Sequence, residues 1–543
     1  MTHLEKFLSW ENTTPDAQFL QQPIGGQWKK WTYKEAGHEI RCLAAALLTY
    51  NLPSDSHIAI LSKNCAHWII ADLAIAMIGC ISVPIYPTLS AAGIRYILEH
   101  SESKLIFLGK LDNFDQQKPA LPETVKRISF PYYGPSEGTS WNDLIRQQPL
   151  HNFSLPVPEQ IASVMYSSGT TGAPKGVMLS YKSFDFVGKS LLENFGVRGP
   201  QRFFSYLPLS HIAEKAYVEM GALYSGSSMA FAESMEKFSD NIREVRPTVF
   251  GGVPRIYAKF QKGVLSKMPQ VKLSKLLSIP IVANIVKAAI RKKLGFRNTK
   301  LLVGGAAPIP VNLLEWFKKL DIHIQEVYGM TENCGYSHGD HGTALRFGTV
   351  GKPWRGIEVK LSAENEILVR HPGLMTGYLK DLQSTAEAFT HDSFLKTGDK
   401  GMIDKEGFLT ITGRLKDQFK TDKAKYVSPA PIELKLLSNA DIEQVCVVGV
   451  GIPQPIALII LSAAGKLKSR DRIAESLTST LKGVNMGLEH YEQLVKGVVM
   501  RGEWTIENGL LTPSLKLKRN ELEKIHVPRY TEWYHQDSLV IWE

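Results

Sequence analysis

Residues Tyr166–Ser180 read YSSGTTGAPKGVMLS, and this stretch decides how the rest of the chain is read. Four hydroxyl side chains, Ser167, Ser168, Thr170 and Thr171, are set among Gly169, Gly172 and Gly176, with Lys175 beside them. Glycine lets backbone approach a ligand closely, hydroxyls donate hydrogen bonds, and lysine adds positive charge. Those are the groups a polyphosphate needs. The spacing is not that of the P-loop, because Pro174 precedes Lys175 and Gly176 follows it. Taken alone, such a run after a strand is also compatible with a polar surface turn.

Outward from this loop, short β-rich runs alternate with longer helical ones. Ser56–Leu61, Ile81–Ile85, Leu105–Leu108, Ser163–Tyr166 and Leu301–Val303 read as strands. Tyr33–Leu48, Trp68–Ile78 and Val311–Leu320 read as helices. The alternation predicts α/β architecture: mainly parallel sheets covered by helices. From Thr349 the texture changes to short strands punctuated by Gly and Pro (Val359–Leu361, Glu366–Val369, Phe408–Thr412), a small β-rich unit. After Arg414 a mixed α+β segment begins, with strands at Val445–Val450 and Ile456–Leu461. The expected division is residues 1–413 and a small mobile unit, 414–543, with the hinge near Lys416.

The 543 residues exceed one ordinary core and suggest about three or four structural units. A net charge of +10 is modest at this length, and no nucleic-acid-binding module accompanies it. Five cysteines, odd in number and without a CxxC pair, argue against a disulfide framework or zinc site. The N-terminal residues lack a secretory layout, and the apolar stretch Ile69–Tyr86 is interrupted by Asp72 and Pro84. The expectation is a cytoplasmic protein, with a peripheral place at the cytoplasmic membrane face left open.

Further motifs follow in order: Gly304-Gly305-Ala306-Ala307-Pro308, Tyr328–Glu332 (YGMTE), Thr397-Gly398-Asp399, Gly413–Asp417 (GRLKD) and Leu511–Arg519 (LTPSLKLKR). None is specific alone. Together with the Tyr166–Ser180 loop they cover nearly the whole chain, which resembles the adenylate-forming (AMP-binding) superfamily of acyl-CoA synthetases, adenylation domains and luciferases. Ser205–Lys215 (SYLPLSHIAEK), Ala230–Lys237 and Arg246–Arg255 resemble its long-chain fatty acyl-CoA synthetase branch.

The resemblance implies roles. Ser167, Ser168, Gly169, Thr170, Thr171, Gly172 and Lys175 would hold the phosphates of ATP. Gly304, Gly305 and Ala306 would line the adenine pocket, and Tyr328 would stack on the base. Thr331 would bond phosphate and Glu332 would hold Mg²⁺, a hard cation that takes carboxylate and phosphate oxygens together. Asp399 would accept from the ribose hydroxyls, with Arg414 adding a ribose or phosphate contact. Lys416 would be the hinge, Lys516 the mobile catalytic lysine, and His211 would position the substrate carboxylate. Lys518 and Arg519 read as a solvated basic rim.

The implied function is an ATP-dependent fatty acid:CoA ligase working through an acyl-adenylate. Alternatives are delivery of the adenylate to an acyl carrier protein, and a non-catalytic nucleotide- or acyl-binding protein of the same fold. Where relatives have two glycines before Lys425-Tyr426, this chain has Lys423 and Ala424, which bears on CoA use. Finally, Arg255 to Lys300 holds twelve Lys or Arg and no acid. Within 279–293, Ile281, Val282, Ile285, Ala289 and Ile290 can share one helical face flanked by cations. That suits anionic lipid, a solvated face packed on the core, or attraction of CoA phosphates.

Overall fold

The computed structural model describes residues 1–167, 173–340, 345–512 and 515–543. Ser168, Gly169, Thr170, Thr171 and Gly172 lie outside them. The α/β reading holds: among the described residues, two large sheets carry most of the chain up to Tyr378.

The first sheet has eight strands in the order Gly377–Tyr378, Lys175–Ser180, Ile161–Ser167, Ile81–Ile85, His57–Leu61, Leu105–Leu108, Lys126–Ser129 and Thr139–Ser140. From Ile161–Ser167 outward to Thr139–Ser140 the pairing is parallel. Ile161–Ser167 and Lys175–Ser180 form an antiparallel pair ending at Ser167 opposite Lys175. The phosphate-loop motif therefore joins two adjacent strands. Helix Ala66–Met77, buried at every position, covers this sheet.

The second sheet has nine strands, with Arg202–Ser205, Val249–Gly252, Leu301–Gly304 and Ile324–Tyr328 parallel at its centre. Parallel α/β sheets present ligand sites beyond the carboxyl ends of their strands. Here those ends carry the 206–211 loop, Gly305-Ala306 and Tyr328 to one edge. A four-stranded antiparallel sheet (Glu358–Leu361, Glu366–Arg370, Leu395–Ile403, Leu409–Arg414) sets Asp399 opposite Arg414 in register.

Beyond Lys416, strands Ile442–Val448, Ile456–Leu461, Lys496–Val499 and Val540–Trp542 form a separate sheet with its own cores on both faces. One expectation fails here. Arg519 is buried rather than solvated: its guanidinium donates to Glu433 Oε1 (2.6 Å) and the Val447 carbonyl (2.6 Å). Adjacent basic residues looked like a rim, but the helix Arg519–His526 turns Arg519 inward.

Asp72, the charge inside the apolar stretch, also finds a partner. Lys215 Nζ donates to Asp72 Oδ2 (2.9 Å) and Glu219 Oε2 (3.1 Å), all three fully buried. One ammonium supports one carboxylate. Lys215 holds Asp72 below the usual carboxylate range, while burial pushes Glu219 up to about 8.

Candidate active site

Asp399 is pinned from two sides. Tyr328 Oη donates to its Oδ2 (2.7 Å), and Arg414 Nε donates to its Oδ1 (2.8 Å). Each carboxylate oxygen keeps a lone pair, so the group remains an acceptor held in fixed orientation. Three residues 71 and 15 positions apart in the chain meet because strand Ile324–Tyr328 ends where the Asp399–Arg414 ladder begins.

Glu332 is buried in the short helix Thr331–Asn333, with half-buried Thr331 at its start. Tyr378 Oη donates to Glu332 Oε1 (3.0 Å), and Lys175 Nζ lies 4.9 Å over the Tyr378 ring. Lys175 also bonds Ser384 Oγ and lies 3.6 Å from Asp381. Tyr378 thus couples the expected phosphate lysine to the expected metal carboxylate. Sequence reasoning missed it, since a tyrosine in the two-residue strand Gly377–Tyr378 carries no signal of its own.

Gly305 allows close packing: a Cβ there would come within 2.8 Å of the Val327 carbonyl oxygen and side chain. Ala306 follows at φ +64°, a left-handed angle that costs a non-glycine residue about 1–2 kcal/mol. Gly304 ends the neighbouring strand at the same edge.

His211 caps the helix that follows it, its Nδ1 accepting from the Ala213 amide (3.1 Å). Nε2 therefore carries the proton in the neutral ring and is the atom free to donate. Burial, with Lys516 nearby, lowers its pKa to about 3, so it stays neutral at physiological pH. The loop bearing it is braced by Asn64 and Glu214, neither of which stood out in the sequence. Glu214 Oε1 accepts from the Tyr206 amide (3.0 Å) and Asn64 (3.2 Å), while Asn64 Oδ1 accepts from the Leu209 amide (3.0 Å). Burial pushes Glu214 up to about 8, so it is protonated at neutral pH.

Lys516 reaches this cleft from the C-terminal unit. Its amide accepts support from Thr512 by donating to Oγ1 (3.0 Å), and Leu515 before it sits at φ +61°. Surrounded by protein, yet with its own surface open to the cleft, Lys516 lies within electrostatic range of Arg414, Asp399 and Glu332. Desolvation, and then Arg414, hold its ammonium below the ordinary lysine value, against the pull of the two carboxylates. Lys416 is exposed in the turn Leu415–Asp417 that leads out of the last strand of the Asp399 sheet.

From this cleft an apolar cavity runs between the nine-stranded sheet and its helices, with about 710 Å³ unfilled by protein, part of it open to solvent. Gly305, Ala306, Ala213 and Glu214 line it along with Leu191, Phe195, Tyr217, Val249 and Leu301.

Fold and site define an adenylate-forming enzyme. The chain belongs to the AMP-binding enzyme family, whose description matches residues 7–379, with the family's C-terminal domain matching 416–536. It is 27% identical to the long-chain-fatty-acid–CoA ligase FadD15 of Mycobacterium tuberculosis, across 94% of this chain and 93% of that one. It is 29% identical to the peroxisomal long chain acyl-CoA synthetase 6 of Arabidopsis thaliana, across 94% and 82%. The same fold occurs in Bacillus subtilis o-succinylbenzoate CoA synthetase bound to its acyl-adenylate (TM-score 0.76, 21% identity, 96% and 98% covered). It also occurs in the adenylation domain of a Mycobacterium chelonae carboxylate reductase (TM-score 0.81, 21% identity, 99% and 91% covered).

Proposed function

We propose that this enzyme activates a long-chain fatty acid with ATP and transfers the acyl group to coenzyme A. The observation that carries the reading is the apolar cavity lined by Ala213, Glu214 and Gly305, next to His211, which accepts from the Ala213 amide. A carboxylate held there leaves its alkyl chain in apolar surroundings, where each buried methylene is worth about 0.8 kcal/mol.

The fatty acid's carboxylate oxygen attacks the α-phosphorus of ATP, and the bond to pyrophosphate breaks. His211 donates from Nε2 to the carboxylate and fixes its direction. Asp399, held by Tyr328 and Arg414, accepts from the ribose, and the edge formed by Gly304, Gly305 and Ala306 faces the base. Lys516 and Lys175 neutralise charge on the phosphates; electrostatic stabilisation of this kind is usually the largest catalytic contribution. Glu332 fits Mg²⁺ that arrives with the nucleotide, since such ions bind through one or two carboxylates plus substrate phosphates. The ion would supply further charge neutralisation there. In the second half-reaction the CoA sulfur attacks the acyl carbon and AMP leaves.

Residues 1–413 and 414–543 act as two units in this reading, and rotation about Lys416 withdraws Lys516 to admit the thiol. Ala424 supports CoA as acceptor: it adopts φ +59°, so the loop keeps the backbone turn that a glycine would make. Delivery to a carrier protein is the second reading. Pyrophosphate release that needs a fatty acid, with acyl-CoA formed only when CoA is added, fits the first. Adenylate retained despite CoA points to the carrier.

Chain length is tested at Gly251, which lines the cavity and whose added Cβ would meet nothing within 4 Å. Gly251→Leu is expected to fold normally, fill part of the cavity and cut kcat/KM for the longest acids at least about tenfold, the scale of a few displaced methylenes. Short acids should be spared. Equal loss across all lengths would remove the acyl chain from this cavity.

A further inference from the structure

The acid-free stretch folds as three helices, Pro254–Leu265, Gln270–Leu277 and Pro280–Lys293. Their inner side is fixed by Tyr257, Phe260, Leu273, Ala283 and Ile290, all buried, and by Trp316 Nε1 donating to Gln270 Oε1 (3.0 Å). The apolar face expected from the sequence is corrected here. Ile290 packs inward with Ala283, so it does not share a face with Ile281 and Ile285. Those two, four residues apart, point outward in line with Ala288 and Lys292.

The outward side is unusual in two ways. Ile279, Ile281 and Ile285 are 51%, 79% and 66% exposed, and Val271 on the preceding helix is 70% exposed. Water disfavours such bare aliphatic surface, and clustering of this kind marks an interaction site. Around them stand exposed Lys267, Lys272, Lys275, Lys292 and Lys293. Among the described residues of this stretch, only Lys262 and Lys287 pair with an acid, Glu443 (3.5 Å) and Asp321 (3.0 Å).

We propose that the hairpin 267–293 docks this enzyme onto an anionic lipid bilayer. Ile279, Ile281 and Ile285 enter the boundary between headgroups and acyl chains, and Lys272, Lys275, Lys292 and Lys293 meet the lipid phosphates. Exposed aliphatic residues ringed by lysines complement a surface that is apolar within and negative at its rim. A second copy would bring like charge against this face, and a nucleic acid offers nothing for the isoleucines. Docking is peripheral: no helix among the described residues is long and apolar enough to cross a membrane. The helix that leads into the hairpin starts beside Val253, a cavity-lining residue, which puts the docked face on the element bordering the acyl site. Docking itself does not depend on the substrate assignment, and its test reads binding, not turnover.

The full chain is sedimented with phosphatidylcholine vesicles, with and without phosphatidylglycerol. Binding is expected only with the anionic lipid and should weaken with added salt. Lys292→Glu/Lys293→Glu should weaken it at least about 25-fold, roughly fivefold for each basic residue lost. Ile281→Asp/Ile285→Asp should weaken it at least about tenfold. All four side chains lie on the outer face or its edge, so unfolding curves should match the parent's. The proposal is overturned by absent binding, by equal binding to neutral vesicles, or by indifference to both pairs of substitutions. It is also overturned if the isoleucine pair instead abolishes self-association in solution.

Discussion

Lys516→Ala is expected to slow fatty-acid-dependent pyrophosphate release about 100- to 1,000-fold, the usual cost of removing one well-placed electrostatic stabiliser. Acyl transfer from supplied acyl-adenylate to CoA should change only a few-fold. The asymmetry follows from geometry: Lys516 belongs to the C-terminal unit yet lies within electrostatic range of Asp399, Arg414 and Glu332. In the proposed mechanism its ammonium neutralises charge where pyrophosphate departs, and the rotation about Lys416 that admits the thiol takes it away from the acyl carbon. Single-turnover measurements of the two half-reactions separate the cases. Equal loss in both would mean that the substitution disturbs the closed cleft as a whole.

The second large effect concerns stability. Lys215→Met should lower the unfolding free energy by about 3–5 kcal/mol, because it strands Asp72 in the interior without its counter-charge. Glu219→Gln should cost less than about 1 kcal/mol at pH 7, since a carboxyl titrating near 8 is already neutral there. The pH dependence carries a definite sign. Glu219 binds its proton more tightly in the folded state (about 8) than at its ordinary value of 4.5. Its contribution is therefore complete below about pH 4.5 and is lost as the pH rises through 8. Glu219→Gln should remove one proton's share of that slope in urea unfolding between pH 5 and 8. A silent Lys215→Met would show that both carboxyls are protonated and that the ammonium does not support Asp72.

Sequence reading succeeded where local pattern and chemistry coincide. His57–Leu61, Ile81–Ile85 and the helix Tyr33–Leu48 were legible because short apolar runs and helical periodicity are properties of neighbouring residues. Burial was not. Lys518 and Arg519 look alike in a basic run, yet only the helix direction buries Arg519 against Glu433.

The sequence alone determined the α/β class, the adenylate-forming family and the order of the site motifs. All of these reside in contiguous residues whose spacing carries chemistry. Only the tertiary structure joined Tyr328 to Asp399, Tyr378 to Glu332 and Lys215 to Asp72. It alone turned Ile281 and Ile285 outward and Ile290 inward, and opened the cavity beside Gly251. Those features depend on contacts between segments tens to hundreds of residues apart, and on which side of a helix meets the core. No local pattern of polar and apolar residues fixes either one.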